Sequence, residues 1–510
     1  MSTNKMTDFQ YEDRQTNEIS FPLGGIGAGC IGLAGNGRLI DWEIFNRPNK
    51  GSLNGFSHFA VKAERDGEVL DTRILQGDLP PPYTGEMGNA KQASGFGFGP
   101  RLENLCGLPH FREHTFTGRF PGANIAFSGE GKFPGDVALH AWSPFIPGND
   151  YDSSLPGAFF EIELKNTADV AIDYTVVGAL SNPFGHDKNA YNRVEQKDQL
   201  HQLTVTNMGL SADDPEYGNI TLSTEAGTDT VSFQEYWYRG EWSDNLEVYW
   251  QDLNSPGRFA NRTYTQEDEK GSKHDTGHLA VHLKLKPGER RRVRFVITWH
   301  VPNCYNYWQC DCQGQPNGGF ARRLTGAGLE NRWRNWYATQ WQDSKDSGRY
   351  AIDNWTRLQE ETRCFQKTLF NSTLPDAALE ATSANLSTLK SPTCMRLEDG
   401  TFYGFEGAQK DRGNCPGSCT HVWNYAQALP FLFPELERSM RTANYKYSID
   451  EYGGSHFRIW LPLGIKAQVT DFRPCADGQF GDIIKTYRDW KISGNSAWLR
   501  ELWPIMRKTI

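Results

Sequence analysis

The run Ala158-Phe-Phe-Glu-Ile-Glu-Leu164, the break Asn166-Thr-Ala-Asp169 and the run Tyr174-Thr-Val-Val-Gly178 decide the fold of the first half of this chain. Both runs are rich in aromatic and β-branched residues, which suit a pleated, buried surface, and the break is made of turn formers. The same alternation recurs on either side, in His58-Phe-Ala-Val-Lys-Ala63, Leu200-His-Gln-Leu-Thr-Val205 and Val293-Arg-Phe-Val-Ile-Thr298, with Lys286-Pro-Gly-Glu289 as punctuation. Many strands with no helical pattern between them predict a β-sandwich over residues 19–317, behind a polar tail at 1–18. Residues 79–100, dense in Pro and Gly, read as a long irregular loop.

The period changes near residue 318. Leu324, Leu329, Trp333 and Trp336 carry helical spacing, and residues 347–370 read as one helix with Tyr350, Ile352, Trp355, Leu358 and Phe365 on related faces. We take 318–373 as a helical linker. Leu374-Pro375-Asp376 opens a further helix, and Thr393 to Phe405 reads as a hairpin about Asp399-Gly400. Leu436, Met440, Ala443 and Tyr447 form a single stripe on a helix that Pro434 begins. Two more helices, Phe480 to Ile492 and Ser496 to Met506, meet at Ser493-Gly494-Asn495, which supplies a C-cap and then an N-cap. Residues 374–510 are therefore expected to form an all-helical unit. Its last helix reaches residue 510 without a stop signal, which reads as truncation.

Composition excludes several functions. At 510 residues, two domains are expected, and with 38 % apolar residues the chain has enough to build their cores. A net charge of −9 and the lack of a long Lys/Arg track argue against nucleic acid. The longest apolar runs, such as Phe295-Val296-Ile297-Thr298-Trp299, are too short to span a bilayer, so no integral membrane segment is expected. The N-terminus lacks the apolar core of a secretory signal, which favours the cytoplasm. The ten cysteines lack zinc-ligand spacing, so they are expected to be reduced structural thiols and neither metal nor organic cofactor is implied. The 16 Trp residues offer flat apolar faces with a polar edge, which suit sugar rings as well as cores.

Four motifs carry chemistry. Gly27-Ala28-Gly29-Cys30-Ile31-Gly32 matches a dinucleotide fingerprint. However, Phe21-Pro22-Leu23-Gly24-Gly25 before it carries no strand signal, no helix follows, and Asp41 is too close. A tightly packed turn is the better reading, with a loop that touches a cleft as its functional variant. Tyr403-Gly404-Phe405-Glu406-Gly407 delivers a carboxylate at a strand end, where it can act as nucleophile or base, or simply bond its own turn. His421, Trp423, Asn424 and Tyr425 cluster at an expected helix start, apt for binding hydroxyls or for internal satisfaction within a core. Asp477, in Pro474-Cys-Ala-Asp477-Gly478, is either a helix cap or an acceptor for sugar hydroxyls.

Together these pieces resemble glycoside hydrolase family 116, the family of non-lysosomal glucosylceramidases and bacterial β-glucosidases. The resemblance rests on Phe21 to Gly29 with Trp42 and Phe45, on Tyr151-Asp-Ser-Ser-Leu-Pro-Gly157, and on Thr298-Trp-His-Val-Pro302. Further along it rests on Phe405-Glu-Gly407, Val422 and Tyr425, and on Tyr487-Arg-Asp489 with Gly494 and Leu502-Trp503-Pro504. It implies an N-terminal β-sandwich followed by an (α/α)6 toroid, of which only the first half is present. It places the nucleophile of a retaining β-glycosidase at Glu406 and a sugar-binding carboxylate at Asp477. It puts the acid/base Asp beyond residue 510. The implied partner is a carbohydrate or glycolipid substrate. His421 and Ala476 depart from the family pattern at sugar-binding positions, so xylosides and N-acetylglucosaminides compete with glucosides as substrates. A non-catalytic carbohydrate-binding protein is the alternative of a different class.

Overall fold

A computed structural model of the protein describes residues 9–79, 101–184, 189–226, 230–239, 244–265, 275–306, 332–414, 418–420, 428–464 and 474–510. Nearly all of the loop expected at 79–100, the expected helix start at 421–425 and the segment 307–331 lie outside these residues.

The runs Ala158 to Leu164 and Tyr174 to Gly178 become strands of two different sheets. Gly157–Asn166 lies in a nine-stranded sheet, between Gly135–Trp142 and Arg290–His300. Ile172–Ser181 is the centre of a five-stranded sheet, between His58–Arg65 and Thr276–Leu285. All these pairings are antiparallel. The corner between the sheets is held by the buried Asn166 side chain. Its Nδ2 donates to the carbonyls of Val170 at 2.7 Å and Leu285 at 3.0 Å, and its Oδ1 accepts from Ala168 N at 2.9 Å.

The sheets face each other across one core. Phe59 of the smaller sheet meets Phe160 and Phe295 of the larger, with ring centroids 4.9 and 5.6 Å apart. The larger sheet is also covered on its outer face. There Phe159 stacks on Trp142 at 4.3 Å and packs at a tilt against Trp355 of a helix at 4.9 Å. Burial on both faces explains why its strands read as unbroken apolar runs.

The covering helices correct two readings. Residues 347–370 are not one helix: Ser344–Asp353 and Trp355–Phe370 meet at Asn354, whose φ of −104° breaks the first. Trp333 is not helical either, because Arg332–Arg334 pairs as a strand with Asn303–Tyr305. A short helix, Tyr337–Gln340, follows it.

A third correction concerns the glycine motif. Phe21-Pro22-Leu23-Gly24-Gly25 is a strand, Ser20–Gly25, in a three-stranded sheet with Gly29–Ala34 and Leu39–Glu43. Pro22 is compatible because its strand lies at the edge, where a missing N–H costs no ladder bond. No helix follows the motif, so it is a hairpin rather than a dinucleotide site.

Beyond residue 373 the chain is mostly helical. Asp376–Leu386, Pro434–Tyr447, Ala476–Ser493 and Ser496–Thr509 are the main helices. Leu436, Met440 and Ala443 are buried along one stripe of the second, and Tyr447 is half-buried. Gly494 caps the third helix in the left-handed region at φ +65°, and the Asn495 side chain accepts from Trp498 N to start the fourth. Between the second and third helices lies a fully buried charge network in which Arg441 bonds Asp482 at 2.7 Å and Glu437 at 3.3 Å. Among the described residues no helix is long and apolar enough to cross a membrane.

Candidate active site around Glu406

Glu406 sits where the expected hairpin ends. Cys394–Arg396 and Phe402–Gly404 pair antiparallel, and Phe405 N donates to Thr393 O at 2.8 Å, so the strand direction carries through to Glu406. The hairpin is anchored from below by Tyr403. This residue is fully buried; its hydroxyl donates to Ile459 O at 2.8 Å and accepts from Ser418 N at 2.8 Å. That single hydroxyl ties the Glu406 hairpin to a second two-stranded ladder, Ser418–Cys419 with Arg458–Ile459.

The second ladder delivers a counter-charge. Arg458 Nη1 lies 3.2 Å from Glu406 Oε1, and both side chains are largely withdrawn from solvent, at 20 % and 15 % exposure. Local sequence shows no partner for Glu406; the arginine comes from 52 residues downstream. The same ladder also leads toward Asp477. Thr420, directly after it, donates from Oγ1 to Cys475 Sγ at 3.5 Å, and Cys475 contacts Asp477 Oδ1 at 3.4 Å. A Cβ on Gly478 would sit 2.3 Å from Thr420 Oγ1, so this approach requires glycine there.

Asp477 itself lies in the first turn of helix Ala476–Ser493, behind Cys475 at the cap position. Its Oδ1 accepts from Gly478 N at 3.0 Å, and the residue is exposed. It does not line the cavity at Glu406. His421 and Trp423 lie outside the described residues.

That cavity has a volume of about 260 Å³ and lies between the two halves of the chain. Glu406, Gly407 and Thr393 form one wall; Cys30, Glu43 and Lys50 of the glycine-hairpin sheet and the loop after it form the other. The hairpin reaches this place because its tip has no side chain. Gly27, at φ +69°, packs so closely on the Glu406 hairpin that a Cβ would lie 2.7 Å from the backbone nitrogen of Arg396. The glycine motif thus behaves as the close-packed turn, and its sheet touches the cleft.

Glu43 and Lys50 went unnoticed in the sequence as site residues. Glu43 is fully buried, and Lys50 Nζ bonds its Oε2 at 2.9 Å. Burial pulls the Lys50 ammonium down, but Glu43 more than offsets this, with Asp41 adding to it, so it stays charged above the ordinary lysine value. The Cys30 thiol is pushed well up by burial and by Glu43, so it is an inert neutral group in this wall. The only signal for this wall was the nearness of Trp42 and Phe45 to the glycine motif, which marks a place but no role.

The family model described as "beta-glucosidase 2, glycosyl-hydrolase family 116 N-term" matches residues 20–358. Among solved structures, a protein described as a kojibiose phosphorylase from the human microbiome is similar at 10 % identity and a TM-score of 0.40, over 98 % of this chain and 58 % of that one. A family GH92 α-mannosidase from Bacteroides thetaiotaomicron is similar at 8 % identity and a TM-score of 0.31, over 93 % of this chain and 54 % of that one. The chain therefore spans less than two thirds of these proteins, and likenesses so distant carry no argument about chemistry.

Proposed function

The chain belongs to glycoside hydrolase family 116, and on that footing we propose that it provides the nucleophile of a retaining β-glycosidase, Glu406. The observation that carries the reading is the placement of Glu406. It is a carboxylate at a strand end, largely withdrawn from solvent, paired with Arg458 and lining a cavity that it shares with Glu43 and Lys50.

In this reading, Glu406 attacks the anomeric carbon as the bond to the leaving oxygen breaks. A glycosyl ester forms, and a second carboxyl group gives its proton to the departing oxygen. That group then takes a proton from the water that hydrolyses the ester. Retention needs the two carboxyl groups about 5–5.5 Å apart. The family resemblance puts the second group beyond residue 510. Arg458 supplies the counter-charge of the resting nucleophile and is released as the ester forms. Asp477, with His421 and Trp423, is proposed to hold sugar hydroxyls. A β-glucoside is the proposed substrate, and His421 and Ala476 keep xylosides and N-acetylglucosaminides as the variants to test.

The helical part is proposed to be the first half of an (α/α)6 toroid. Phe480, Ile484 and Tyr487 support this: they fall at i, i+4 and i+7 of one helix and are 55, 67 and 58 % exposed, a stripe that suits further packed helices.

The test is trapping with a 2-fluoro β-glucoside on the protein made from the whole gene, followed by peptide mapping. The expected result is one label, on Glu406. A label on a peptide that lacks Glu406 sinks the assignment, and so does unchanged turnover in Glu406→Gln.

A further inference from the structure

The cavity at Glu406 is a joint one, and its sandwich wall carries a lysine that the glycosidase chemistry above does not use. The base of that lysine is clamped. Asp41 Oδ1 accepts from Gly51 N at 2.6 Å, Ser52 Oγ accepts from Trp42 N at 2.8 Å, and Lys50 N donates to Lys410 O at 2.8 Å. The last bond ties the lysine loop to the segment just after Glu406, where Ala408 and Gly413 form a bridge. The loop and the segment after Glu406 are therefore tied together by a backbone hydrogen bond.

Glu43 holds the lysine head. Its Oε1 accepts from Asn49 N at 3.2 Å, and its Oε2 accepts from Lys50 Nζ at 2.9 Å and from Cys30 Sγ at 3.6 Å. A fully buried carboxylate needs such partners, because leaving one charge of a buried pair alone is strongly unfavourable. Glu43 is thus occupied as a support, whereas Lys50 has capacity to spare. Its ammonium has three donors. Among the described residues these meet Glu43 at 2.9 Å and Asp41 only at 3.5 Å, and the side chain is 44 % exposed at the cavity.

We propose that Lys50 is a specificity-determining residue: its ammonium, braced by Glu43, donates a hydrogen bond to an oxygen of an uncharged sugar seated against Glu406. This rests on the glycosidase reading and narrows its substrate class. Lys50 is paired with Glu43 and Arg458 with Glu406, so an anionic sugar meets cations whose charge is already balanced, whereas a neutral polyol uses donors and acceptors alike. At about 260 Å³ the cavity is also small. It falls just below the usual range for ligand sites, about 300–1,000 Å³, and suits one ring better than a chain of several.

The experiment uses the protein from the whole gene, with aryl β-glucosides as probes. Lys50→Met is expected to lower kcat/KM by about 10- to 100-fold, chiefly through KM, with Lys50→Arg restoring part of it. The rate of labelling by the 2-fluoro β-glucoside should fall in parallel. Among monodeoxy aryl β-glucosides, the one lacking the oxygen that Lys50 touches should lose activity with the unaltered protein and show no further loss in Lys50→Met. The proposal is overturned if Lys50→Met labels Glu406 at the unaltered rate, or if activity falls only in step with thermal stability at constant KM. Should Lys50→Met not fold, the unaltered protein decides: an aryl β-glucuronide hydrolysed at more than a tenth of the glucoside rate overturns the proposal, and slower hydrolysis supports it. Failure of the unaltered protein to label at Glu406 overturns the underlying nucleophile assignment as well, which separates the two failures.

Discussion

Replacing Gly27 by alanine tests how the two halves of the site are joined. Gly27 turns the hairpin between strands Ser20–Gly25 and Gly29–Ala34 at φ +69°. A Cβ there would lie 2.7 Å from both Cβ and the backbone nitrogen of Arg396, and 3.0 Å from the carbonyl carbon of Met395. Two of these three atoms are backbone, so the clash cannot be relieved by a side-chain rotation alone. The left-handed conformation costs an alanine about 1–2 kcal/mol. Overpacking of this kind adds about 1–3 kcal/mol. The expected loss is therefore about 2–5 kcal/mol. Gly67→Ala is the control. Gly67 is equally left-handed, at φ +82°, in the tight turn after Arg65, but nothing lies within 4 Å of its would-be Cβ. It should lose the strain alone, about 1–2 kcal/mol. Urea unfolding at constant m-value reads both losses. The Glu406 labelling rate reads the second consequence, since Arg396 belongs to the strand paired with Phe402–Gly404, which leads to Glu406. Equal destabilisation by the two substitutions, with equal labelling, would refute the idea that the glycine tip is pressed against the Glu406 hairpin.

Buried polar groups supply three further predictions. Lys390 is fully buried and donates from Nζ to the carbonyls of Gly24 at 2.8 Å, Ser153 at 3.2 Å and Pro144, so Lys390→Met should strand them and cost about 3–5 kcal/mol; a thermal melt showing less than about 1 kcal/mol of loss would contradict this. Asp482→Asn should cost about 3–5 kcal/mol, because it leaves the fully buried Arg441 with one carboxylate fewer, and a double-mutant cycle with Arg441→Met should show strong coupling. Burial brings His58, His282 and His300 from 6.5 down to about 4 in the folded protein. A depressed pKa means that the stability linked to these histidines is complete above pH 6.5 and is lost as pH falls toward 4. Within that window the unfolded chain binds more protons, at about 1.4 kcal/mol per pH unit per histidine. His58→Gln should make the urea midpoint less steep with pH between 6.5 and 4, and an unchanged slope would count against its burial as a neutral ring.

Local chemistry makes some features of this protein legible in its sequence. The Asp399-Gly400 hairpin, the Gly494 and Asn495 caps and the apolar strands of the sandwich each depend on residues within one turn or one strand. The same locality misleads elsewhere. Pro22 and the glycines beside it suppress any strand signal, yet an edge position makes them acceptable. Trp333 has helical spacing with its neighbours, but pairing with Cys304 draws it into a ladder. Asn354 interrupts a continuous helical pattern because two helices lie across the large sheet.

That Ala158 to Leu164 and Tyr174 to Gly178 are strands, and that Glu406 stands at the end of a third, follows from the order of residues alone. Side-chain period and turn composition act over a few residues and need nothing more. It takes the packed molecule to put the first two strands in opposite sheets around Asn166. Packing also sets Glu406 against Arg458 from 52 residues away, and in one cavity with Glu43 and Lys50 from more than 350 residues upstream. Those partners are chosen by packing and charge pairing between distant segments, and no local pattern in either segment records which one it will meet.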